Sequence, residues 1–103
     1  MANDTQDRVA CRTPAEGRDG TSNIPVWKYD AVSAAIRSVL ADAGPEGMAN
    51  KDLRDAVEVR MDAQTLAKLG KLGWHVVTVK LEMEVRGEVV RLPGKGPLRI
   101  AAA

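Results

Sequence analysis

The chain has no phenylalanine, one cysteine (Cys11) and one histidine (His75). Trp27, Tyr29 and Trp74 are its only aromatic side chains, so a core has to be assembled from Val, Leu, Ile, Met and Ala. A single cysteine excludes an internal disulfide and a thiolate cluster for zinc or iron–sulfur. A single histidine excludes a histidine metal pair, and nothing completes a catalytic triad around it. No apolar run approaches the ~20 residues of a membrane helix, and no membrane partner is expected.

What is present fits one small domain. The chain has 103 residues, 45% hydrophobic and 28% charged, with a net charge of +1. Residues 1–23 are polar, interrupted by Pro14, Gly17 and Gly20, and read as a flexible arm in which Val9–Arg12 pairs as a short edge strand. Cys11, within that arm, reads as an exposed, inert thiol. Residues 24–103 form the domain. The N-terminus carries no secretory h-region and no Arg-rich transit pattern, so a cytoplasmic location is expected.

Val32, Ala35, Ile36, Val39, Leu40 and Ala43 share one face of a helix running from Lys28 to Ala43. Gly44-Pro45 stops it. A second helix opens at Asn50 and buries Leu53, Ala56 and Val57. Asp62 caps a short third helix over Ala63–Leu69, and Gly70 and Gly73 bracket a turn.

Trp74–Arg86 supports two readings. Val77, Val79, Leu81, Met83 and Val85 alternate with Thr78, Lys80, Glu82, Glu84 and Arg86, as in a strand. Wound as a helix, Trp74, Val77, Thr78, Leu81 and Val85 share one face, leaving Val76, Val79 and Met83 outward. The neighbourhood selects the helix. Gly87 terminates it, Glu88–Leu92 is a short strand, Pro93–Pro97 a turn, and Leu98–Ala101 the returning strand. Helices followed by a hairpin give an α+β fold, winged helix-turn-helix-like, with three to four helices and a two-stranded wing.

The string from Thr78 to Arg91 resembles the recognition helix and first wing strand of winged-helix DNA-binding domains. More narrowly, Gly73-Trp74, Arg86-Gly87 and Pro97-Leu-Arg99, with Thr13-Pro14 and Lys28-Tyr29-Asp30-Ala31 before them, are similar to a family of small uncharacterised bacterial proteins. The resemblance spans Arg8 to Ile100. It implies the fold and carries no role with it. His75 stands where that family has an aromatic residue, and Glu84 adds a charge.

Charge is unevenly spread. Ile24–Asp62 carries five bases and seven acids, whereas Ala63–Ala103 carries seven bases and three acids. After Glu88 every charged side chain is basic. The expectation is a regulator-like protein that binds double-stranded DNA. Trp74, His75, Val79 and Lys80 reach base edges, and Arg91, Lys95 and Arg99 grip phosphate, with Arg86 added to the same set. The sequence pI of 7.9 lies below the ~9 of strongly basic binding domains. The rival is a protein-interaction or homodimerisation module, contacting its partner through the outward Val76–Val79–Met83 stripe. Trp27 and Trp74 read as core anchors. No cofactor, metal or catalytic residue is expected; Gly94-Lys95-Gly96 and Gly70-Lys71-Leu72-Gly73 are turns, lacking phosphate-loop spacing.

Overall fold

The computed structural model describes residues 8–12 and 22–103. Thr13-Pro14 and the remainder of the expected arm lie outside the described residues. The chain forms a mixed α+β structure with four helices and two small antiparallel sheets among those residues.

Strand β1 (Arg8–Cys11) pairs with β2 (Ser22–Pro25), Val9 opposite Ile24. Helix α1 (Val26–Ala43) follows at once, and Gly44 ends it with φ of +74° while its N–H bonds to the Leu40 carbonyl. The two-residue strand β3 (Met48–Ala49) leads through a 3-10 turn (Asn50–Asp52) into α2 (Leu53–Glu58). Helix α3 (Ala63–Leu69) starts at Asp62, whose carboxylate accepts from the Thr65 N–H at 3.2 Å. Helix α4 (Leu72–Val85) then enters the hairpin of β4 (Val89–Leu92) and β5 (Arg99–Ala102).

The short β3 joins β5, giving the strand order β3-β5-β4. Its approach depends on Gly47, where a Cβ atom would sit 2.1 Å from the Ile100 carbonyl oxygen. Arg99 closes this corner, donating to the Glu46 and Gly47 carbonyls at 3.2 Å.

Helix α4 packs chiefly on α1 and α2. The core joins Val32, Ile36 and Leu40 of α1 to Leu53, Val57, Leu69, Val76, Val79, Met83 and Ile100. Burying these aliphatics at about 25 cal/mol per Å² drives the fold, since no Phe contributes. Ser33, off the apolar stripe of α1, is buried as well, its hydroxyl donating to the Asp30 carbonyl at 3.3 Å.

Helical winding of α4 agrees with the neighbourhood argument, but its faces are reversed. Val76, Val79 and Met83 point into the core at 2% exposure or less, while Trp74 and Val77 are 47% and 55% exposed. The cause is geometric. Two residues of α-helix turn through about 200°, so alternating apolar residues fall on opposite sides of the cylinder. A period of two therefore gives a strand with one apolar face or a helix with two. Here Leu72, Val76, Val79 and Met83 take the core side, being the set that α1 and α2 can enclose.

Three more expectations change. Cys11 is buried at 3% exposure and joins the core with Ile24, so the segment around it is part of the packed structure. Neither tryptophan is a core anchor, because Trp27 is 40% exposed. Tyr29 fills that role from the first turns of α1.

Candidate functional site

Around α4 the side chains divide into four stripes. Opposite the core stripe lies an outer one of Trp74, Val77, Thr78, Leu81 and Val85, all exposed or half-buried and none charged. Two polar flanks separate the apolar stripes, Gly73, Lys80 and Glu84 on one side and His75, Glu82 and Arg86 on the other. The division follows from the 100° step per residue.

Glu82 is the centre of one flank. Its side chain is 1% exposed, and it ties β1 to α4. Arg12 donates to it three times, from its backbone N–H at 2.9 Å, from Nε at 3.0 Å and from Nη2 at 2.7 Å. Arg86 adds Nε at 2.8 Å, and its guanidinium lies 4.7 Å from the centre of the Tyr29 ring. Burial pushes the Glu82 carboxyl up, but the Arg12 and Arg86 hydrogen bonds outweigh it and hold the group down at about 2. Beside it, burial first and the Glu82 charge second push the Cys11 thiol up to about 11, which makes it unreactive when folded.

Glu84 organises the other flank. It accepts from Lys80 Nζ at 2.5 Å and from Arg91 Nε at 2.7 Å, anchoring β4. The Lys80 and Glu84 side chains are 5% and 6% exposed.

These pairs determine where each residue of the expected nucleic-acid set stands. Val79 is wholly inside the core and cannot reach a groove without unfolding the helix from its neighbours. His75 is buried, its Nδ1 2.7 Å from the Lys71 carbonyl. Lys80, Arg86 and Arg91 are engaged in ion pairs with Glu84 and Glu82, and Arg99 is held by two carbonyls. Lys95 is exposed, and makes no ion pair among the described residues. Trp74 is exposed, its ring meeting His75 edge-on at 4.9 Å. The eight are thus spread over the core, the two flanks, both hairpin strands and their turn, and only Trp74 lies on the outer stripe.

Sequence reasoning missed Val77, Leu81 and Val85 as surface residues and Glu82 as an anchor. The alternation itself held the signal for the first three, once converted to a helical angle. For Glu82 the sequence offers its i, i+4 partner Arg86 but not Arg12, which lies seventy positions away.

An α+β domain whose helices pack over small antiparallel sheets, with an uncharged outer helix face, is the class these observations define. The chain belongs to a family of unknown function (DUF6958), whose family model matches residues 8–100. No curated protein and no solved structure matches it. Among the described residues, no helix is long and apolar enough to cross a membrane.

Proposed function

We propose that this chain is a cytoplasmic, non-enzymatic interaction module with a winged-helix-like layout, which associates with a second copy of itself through the outer face of α4. One observation carries the reading: a helix with two apolar stripes has only one of them enclosed. The exposed part is on the order of 300 Å², in the range of the largest patch on a typical monomer.

A second copy suits that patch. Because the stripe has no charged side chain, the same surface meets it without opposing like charges or desolvating an ion. Trp74, braced by His75, supplies the kind of rigid aromatic that dominates interface energetics. A stable interface buries about 800 Å² per partner, so a patch of this size gives a weak, concentration-dependent pair unless the flanks add to it. Sedimentation equilibrium from micromolar to millimolar protein tests this. The expected result is a monomer–dimer equilibrium that Val77→Glu abolishes; a wild-type monomer throughout the range refutes it.

The nucleic-acid reading retains support from the element order and from Lys68, Lys71 and Lys95, which make no ion pair among the described residues. It requires duplex binding whose log affinity falls with log salt at about −0.9 per neutralised phosphate. The charge pairing around α4 favours the interaction module, since a reading helix would keep its cations free for the polyanion.

A further inference from the structure

Away from α4, the start of α1 and the outer side of α3 enclose an open cleft of about 350 Å³, lined by Trp27, Gln64, Thr65 and Lys68. That volume lies in the range of small-ligand sites, ~300–1,000 Å³. We propose that this cleft binds a nucleotide unit, with the base against the Trp27 indole and the phosphate at Lys68.

The argument begins with what Trp27 does not do. In a chain this poor in aromatics, a tryptophan left 40% exposed is unused as core. Its indole offers a flat apolar surface with one donor, a platform on which any nucleobase can stack. Gln64 and Lys68 stand one helical turn apart on α3, so an amide and an ammonium face the same cleft. The amide offers both a donor and an acceptor to a base edge. Neither side chain has a hydrogen-bond or ion-pair partner among the described residues.

The walls are held in place. Lys28 Nζ donates to the Leu69 carbonyl at 3.0 Å, fixing the end of α3 to the start of α1. It also stands 5.6 Å from the Trp27 ring centre, adding a second positive charge beside the platform. The nearby acid, Asp62, is turned to cap α3, accepting from Thr65 N–H and Oγ1. Among the described residues, no acidic side chain lines the cleft. An aromatic platform, hydrogen-bonding groups and unopposed ammonium charge together specify a planar heterocycle carrying an anion. A free nucleotide and a base in single-stranded nucleic acid share that chemistry.

A Trp74→Phe background makes Trp27 the sole tryptophan, so its fluorescence reports the cleft alone. Adenosine monophosphate should quench it saturably; adenosine, without the phosphate, should bind about tenfold more weakly, and ribose 5-phosphate should leave the signal unchanged. Lys68→Ala should weaken the nucleotide severalfold toward the nucleoside, Lys28 retaining part of the attraction, while leaving the nucleoside itself unaffected. A short single-stranded oligodeoxynucleotide distinguishes the sources: binding tighter than the monophosphate assigns the cleft to nucleic acid, equal or weaker binding to the free nucleotide. Unsaturable quenching by the monophosphate, or a nucleotide-to-nucleoside ratio unchanged by Lys68→Ala, overturns the proposal. Neither outcome bears on association through α4, which uses other residues.

Discussion

The two stripes of α4 are both uncharged and built around Val and Leu, and they have opposite fates. Leu72, Val76, Val79 and Met83 are enclosed by α1, α2 and the hairpin, while Trp74, Val77, Thr78, Leu81 and Val85 face outward. Charge does not distinguish them, and Val and Leu stand on both. The availability of a neighbour does, and a helix apolar on two sides is ordinarily one that has neighbours on both. The difference locates the missing contact on the outer side, and it can be attacked one stripe at a time.

The largest effect should come from placing the same charge on each stripe. Val79→Glu buries a carboxylate at a site with no accessible surface and should cost more than about 4 kcal/mol, enough to prevent folding of so small a domain. Val77→Glu, at a position 55% exposed, should change monomer stability by no more than about 0.5 kcal/mol and act only on association. Circular dichroism reads the loss of fold in Val79→Glu, and urea unfolding reads the stability that Val77→Glu retains. Similar losses in the two would mean that the outer stripe is also packed.

The next effect concerns the flank that keeps the stripes apart. Glu82→Gln removes the charge that Arg12 and Arg86 share and should cost about 2 kcal/mol, since the two guanidiniums left behind still reach solvent. The pH dependence has a definite sign. The folded Glu82 carboxyl lies at about 2, below its ordinary 4.5, so its stabilisation is complete above about pH 4.5 and is lost as pH falls toward 2. Wild-type stability should fall through that window more steeply than that of Glu82→Gln. Parallel pH profiles would remove Glu82 from the acid response.

Much of the fold was legible because it is local. Apolar spacing in α1, Asp62 as a cap and Gly44-Pro45 as a stop each depend on a few adjacent residues, and the hairpin follows from its turn. The inversion of α4 was not legible. Both stripes satisfy helical periodicity, and the choice between them is made by α1 and α2, far away in sequence. The basic end was legible as composition and misleading as a surface. Three of its seven cations are paired with Glu82 or Glu84, contacts that no charge count contains. Cys11 failed for the same reason, since it is buried by the packing of β1 against α4 and α1.

That docking gives a smaller, local effect. Arg12→Ala removes two of the three donations to Glu82 and leaves the Arg86 contact intact, so the loss is local and smaller than that of removing the carboxylate. The loss falls on β1, so Cys11 should be alkylated about tenfold faster by iodoacetamide under native conditions, with little change in the urea midpoint of the helices. An unchanged rate would mean that β1 is held by its pairing with β2 and by apolar packing alone.

The smallest effect sharpens the outer stripe from within. Thr78 is the hydroxyl-bearing side chain of that face, and Thr78→Val replaces the hydroxyl by a methyl of similar size, keeping the β-branch and hence the helical preference. Monomer stability should move by less than about 0.5 kcal/mol, because the residue is not enclosed in the isolated chain. In a two-fold pair the substitution counts twice, and a gain of about 0.5 kcal/mol per copy tightens association roughly fivefold. Sedimentation equilibrium resolves a change of that size. If Val77→Glu dissociates the pair while Thr78→Val leaves its affinity unchanged, the contact runs along the Val77 edge of the stripe toward the Glu84 flank, and the interface is narrower than the apolar face that suggested it.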